Sequence, residues 1–97
     1  MTERVVWKYT LEPDRVTTIE GGDPRVVHVD VDPASYLNVA LAQSNLPTVW
    51  VELEPGGVGV ILLTFVGTGH PVPEDFDMTH VGSCVTPAGL VWHVYGR

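Results

Sequence analysis

Thr48-Val49-Trp50-Val51-Glu52-Leu53-Glu54 alternates along its length, and the turn signal Pro55-Gly56-Gly57 follows directly. Side chains on a strand point to opposite faces with a period of two, so Val49, Val51 and Leu53 share one face and Trp50, Glu52 and Glu54 the other. A helix would smear that pattern around its circumference. The segment therefore reads as a half-buried strand with its valine and leucine face inward.

Upstream, Val5, Trp7 and Tyr9 alternate with Val6, Lys8 and Thr10. Glu12-Pro13-Asp14 then turns the chain, and Arg15 to Glu20 can return as a second strand. Gly21-Gly22-Asp23-Pro24 is a strong turn signal. After it, Arg25 to Val31 sets Val27, Val29 and Val31 on one face and Val26, His28 and Asp30 on the other. Asp32-Pro33-Ala34-Ser35 breaks the chain again, and Tyr36 to Ala42 reads as a further strand. Downstream, Val58 to Val66 is apolar on both faces, as expected of a strand that is central or covered by another subunit. Glu74 to Met78 reads as an acidic bend. His80 to Val85 and Leu90 to Tyr95 form a hairpin around Thr86-Pro87-Ala88-Gly89. Short strands at even spacing predict an all-β fold, a small sandwich or barrel-like antiparallel sheet of about seven to eight strands, as a single β-rich domain over residues 1–97.

Composition agrees with a packed domain. Hydrophobic residues are 44% and charged residues 18% of the chain, too apolar and too sparsely charged for a disordered segment. No apolar run approaches the roughly 20 residues of a membrane-spanning helix, so no membrane partner is expected. The start, Met-Thr-Glu-Arg-Val-Val-Trp, lacks a signal-peptide core, and the lone Cys84 has no internal partner. Both point to a cytoplasmic location. The net charge is -7, and positions 26 to 96 hold no Lys or Arg. Such a surface repels a phosphate backbone, which argues against generic nucleic-acid binding.

The candidate chemistry lies in two motifs. Gly67-Thr68-Gly69-His70-Pro71-Val72-Pro73 packs glycines, a hydroxyl and an imidazole into one loop, where backbone N–H groups can form a nest for an anion. It lacks the Gly-Lys-[Ser/Thr] ending of a P-loop and the Gly-x-Gly-x-x-Gly of a dinucleotide fold. In Val91-Trp92-His93-Val94-Tyr95, Trp92 shares a face with Val94 as core, while His93 and Tyr95 lie together on the other face. An imidazole beside a phenol ring is a platform for stacking a base. The expected ligand-binding set is thus Gly67, Thr68, Gly69, His70, His93 and Tyr95, with Arg4 and Lys8 adding positive charge if the first strand lies close.

Other features compete with that set. His28, Asp30 and Asp32 alternate in a row, but neighbours on one strand face lie ~7 Å apart, too far to close a metal site alone. No metal or cofactor is expected. Hydrolase and zinc signatures are missing from the sequence, so the expectation is a binding protein and not an enzyme. Cys84, a nucleophile only if His80 or His93 stands beside it, reads as a small buried hydrophobe. Trp50, outward between glutamates, marks a contact surface and with the doubly apolar strand predicts a homo-oligomer.

Taken together, Trp7-Lys8-Tyr9, the Gly67 to Pro73 loop and Val91 to Tyr95 resemble a family of short phage and bacterial proteins. Those read Trp-Lys-Tyr, Gly-Thr-Gly-His-x-[Ile/Val]-x and Val-Trp-His-Val-Phe in the same order, with Ile-Gly-Thr where this chain has Val81-Gly82-Ser83. Pro47 to Val58 is less polar than in that pattern, and Tyr95 replaces its Phe. The resemblance implies a phage context and a small β-rich fold, without a mechanism. The function expected from it is a small accessory protein in the host cytoplasm that sequesters a nucleotide-like anion of host defence. Two alternatives are a factor that binds a host protein through an acidic face (Glu52, Glu54, Glu74 to Asp77) and a minor virion component.

Overall fold

Every strand in the structure, a computed structural model, pairs antiparallel, and the model describes residues 3–13, 15–31, 46–72, 78–87 and 89–97. Among these residues lie seven strands: β1 (Val5–Thr10), β2 (Thr17–Glu20), β3 (Gly22–Val31), β4 (Pro47–Glu54), β5 (Val60–Gly67), β6 (Thr79–Val85) and β7 (Val91–Gly96). They form a three-stranded sheet ordered β1-β4-β3 and a four-stranded sheet ordered β2-β5-β7-β6. The all-β expectation is met.

The alternation of residues 48–54 becomes the middle strand of the first sheet. Val49, Val51 and Leu53 are fully buried and pack in one cluster with Leu11, Ile19, Leu63 and Val94. Each such side chain contributes about 1.5–3 kcal/mol when taken fully out of water, so this face is the main hydrophobic anchor between the sheets. The doubly apolar run becomes β5, flanked on both sides by β2 and β7. Ile61, Leu63 and Phe65 face the core, while Leu62 and Val66 on the opposite face are partly buried.

Two readings need correction. Gly21-Gly22-Asp23-Pro24, expected as a turn between strands, already belongs to β3 from Gly22 on, and it forms the corner where the chain leaves the second sheet and enters the first. Glycine is required there because two backbones meet: a Cβ on Gly57 would sit 2.6 Å from the Gly22 Cα. Asp23 takes a left-handed φ of 45° at this corner, and its carbonyl accepts a 2.7 Å hydrogen bond from Arg4. The second correction concerns β3. Val26 pairs with Val51 and His28 with Trp50, leaving Val27 as the extra residue of a bulge. Val26 therefore joins the core face with Val29 and Val31, while Val27 is exposed. Period-two reading fails wherever a strand carries an extra residue. The strand expected over 36–42 and the acidic residues 74–77 lie outside the described residues.

Candidate functional site

The hairpin β6–β7 builds the site. Its turn is closed by Thr86 N–H to Leu90 C=O (2.8 Å) and Gly89 N–H to Thr86 C=O (2.9 Å), with Gly89 at φ 88°. The Thr86 hydroxyl also accepts the Leu90 N–H at 3.1 Å. That turn fixes the register Val85↔Val91 and Ser83↔His93, after which Val81 bulges and His80 pairs with Tyr95. The bulge puts His80 and Ser83, three residues apart, on one face, together with His93 and Tyr95 across the ladder.

On that outer face the side chains form an unbroken hydrogen-bonded chain. Thr68 Oγ1 lies 2.9 Å from His93 Nε2, His93 Nδ1 lies 3.0 Å from Ser83 Oγ, and Ser83 Oγ lies 2.9 Å from His80 Nε2. A neutral imidazole donates from one nitrogen and accepts at the other, so the four groups polarise in one direction together. The Tyr95 ring meets His80 edge-on at 5.4 Å, and the two imidazoles are 6.3 Å apart. The chain is exposed, so an incoming acceptor can reach its hydroxyls.

The expected set is therefore divided. Thr68, His93 and Tyr95 stand on the outer face. His70 donates its N–H to the Gly67 carbonyl at 3.1 Å, closing the loop, with Gly69 at φ 88° inside it. Gly67 and His70 instead line a cleft of about 640 Å³ along the edge of β5, shared with Arg15, Phe65 and Trp92. Phe65 and Trp92 meet edge-to-face at 5.2 Å. His80 and Ser83 are members that the sequence reading did not assign to the site. Gly82 is the signal that could have found them, since a glycine inside a strand often marks a bulge or close approach. Here a Cβ on Gly82 would meet Val29 Cγ2 of the facing sheet at 2.7 Å.

The remaining candidates fall elsewhere. Cys84 is 5% exposed and pairs with Trp92 on the inner face, across the sheet from His80 and His93. Burial, followed by the negative charge of Asp30, pushes its thiol up to about 11, which leaves little thiolate near neutrality. His28 Nε2 lies 3.7 Å from Asp30 Oδ2, and among the described residues no three ligating side chains gather for a metal; Asp32 lies outside them. Trp50 is half-buried on the outer face of the first sheet, opposite Lys8 and His28, with its ring 4.9 Å from the His28 ring. Arg4 is held in that same sheet, 2.8 Å from Glu52, and Arg25 lies 3.5 Å from the other Glu52 oxygen. The Arg4 hydrogen bond, aided by Arg25, holds the Glu52 carboxyl below the ordinary carboxylate range. Arg4 thus neutralises an acid on the first sheet and does not serve the imidazoles on the second.

No curated protein and no solved structure matches this chain. A family model described as a domain of unknown function, DUF7352, matches residues 2–97, and the chain belongs to that family.

Proposed function

We propose that this protein acts by binding, and that the outer face of the second sheet holds the phosphate of a small nucleotide-like ligand. The observation that carries the reading is the continuous chain Thr68–His93–Ser83–His80 with Tyr95 at its end. The Ser83 hydroxyl lies between the two imidazoles, within hydrogen-bond distance of both, at the centre of the chain. Two imidazoles and two rotatable hydroxyls on one face suit the several acceptor oxygens of a phosphate. Tyr95 and His80 offer ring faces and edges to a base. In the phage and bacterial setting that the sequence resemblance implies, such a module would work by sequestration, the ligand being removed from a host response.

The test is a titration of histidine and amide resonances with inorganic phosphate and with adenosine monophosphate. His80 and His93 signals should move with both ligands, the monophosphate binding more tightly. The double variant H80A/H93A should keep a cooperative unfolding transition and lose at least about tenfold in affinity. Unchanged affinity in that variant would remove the site from consideration.

A further inference from the structure

The cleft beside β5 has a chemistry of its own. Gly21 N–H donates to the Gly59 carbonyl, and the β2–β5 ladder runs on through Ile19↔Ile61 to Thr17↔Leu63. On the other side, Leu62 and Arg97 exchange both backbone bonds at 3.0 Å, and the β5–β7 register continues through Thr64↔Tyr95 and Val66↔His93. In an antiparallel ladder the backbone groups of successive residues point to alternate sides. Thr64 and Val66 therefore aim theirs at β7, while Leu63, Phe65 and Gly67 aim theirs toward β2. The β2 ladder, however, ends at Leu63, two register positions short of Phe65. Arg15, which would pair with Phe65 if the strand continued, instead gives its carbonyl to the Thr64 hydroxyl at 3.3 Å. The chain peels away there, and the cleft is the wedge that results.

Its floor thus presents the N–H and C=O of Phe65 and the N–H of Gly67, with no strand of the described residues paired to them. Its walls are apolar, from Val16, Leu46, Phe65 and Trp92. Its charge runs against the rest of the molecule. In a chain of 12 acidic and 5 basic residues, the described residues that line this cleft include Arg15 and His70 and no carboxylate. Arg15 is mostly exposed and pairs with Glu12 at 3.2 Å, a weak surface contact that another carboxylate can replace.

We propose that this cleft receives an extended acidic segment of a partner protein, which adds a strand to β5 at Phe65. Main-chain bonds to Phe65 and Gly67 supply pairing, an apolar side chain fills the Trp92 wall, and a carboxylate reaches Arg15. This is strand addition at an open sheet edge, where backbone bonds give affinity and alternate side-chain pockets give specificity. A free phosphate or nucleotide would use neither the strand-pairing groups of Phe65 and Gly67 nor the length of the wedge.

The experiment uses the full chain and a capped peptide alternating valine with aspartate, followed by amide resonances and hydrogen exchange. Binding should slow exchange at the Phe65 and Gly67 amides, and R15E should weaken it about tenfold. A peptide with lysine in place of aspartate should bind far more weakly, and so should one N-methylated on alternate residues. Three results would each overturn the proposal: no protection at Phe65 and Gly67, equal binding of the N-methylated peptide, or equal binding of the lysine peptide. The phosphate site is tested separately, because H80A/H93A leaves every lining group of the cleft in place.

Discussion

Cys84 shows how one residue's surroundings decide its chemistry. The sequence alone reads it correctly as a small buried hydrophobe, because an isolated cysteine among apolar strand residues rarely has anything to ionise it. Packing against the first sheet raises its thiol from 9.0 to about 11, so at pH 8 the thiolate is scarcer by about a hundredfold than in the unfolded chain. Native protein should therefore react with iodoacetamide at least that much more slowly than protein in concentrated urea. As Cys84 is the chain's sole cysteine, total label by mass reports it directly. Equal rates in the two conditions would mean that the thiol is not held inside the sandwich. The raised value also has a stability sign: burial of the thiol favours the fold in full below pH 9 and ceases to do so as pH climbs through about 11.

Strands, in contrast to single residues, were legible only up to their bulges. Residues 48–54 gave the right core face because β4 has no extra residue between Pro47 and Glu54. In β3 the same reading of alternation failed part-way, at Val27, and β6 carries a second bulge at Val81. That second bulge brings together half of the candidate site, since strict alternation would separate His80 from Ser83. Nothing in local sequence says which residue of Val26-Val27-His28 will be extruded; the facing strand decides that. Pairings across the first sheet carry a testable electrostatic consequence as well. Arg4 links the start of β1 to Glu52 on β4 and to the carbonyls of Gly22 and Asp23. Glu52 is held below its ordinary value of 4.5, so its pairing stabilises the fold in full above that value and is lost as pH falls through the lowered one. Between about pH 5 and 3, the stability of E52Q should fall less steeply than that of the parent chain. Parallel slopes in urea unfolding across that range would show that the Arg4–Glu52 pair does not tie the strands.

At the scale of the molecule, the Gly67 to His70 loop is the joint between two sites that the sequence reading merged into one. Thr68 faces the imidazoles, whereas Gly67 and His70 face the cleft, because consecutive residues of a tight loop leave in different directions. Which motif meets which was not readable from the chain, since it depends on strand order: β7 lies between β5 and β6, so His93 can reach both Thr68 and Ser83. Gly69 holds the joint at φ 88° with open space around its missing Cβ. An alanine there meets no steric neighbour and still costs about 1–2 kcal/mol in that backbone region, so the loop relaxes to negative φ and carries Thr68 and His70 away together. G69A should consequently weaken adenosine monophosphate and the acidic peptide alike, whereas H93A weakens only the former and R15E only the latter. Parallel titrations of the three variants with both ligands read this out. If G69A affects one ligand and spares the other, the loop serves a single site, and the site whose ligand is spared does not depend on it.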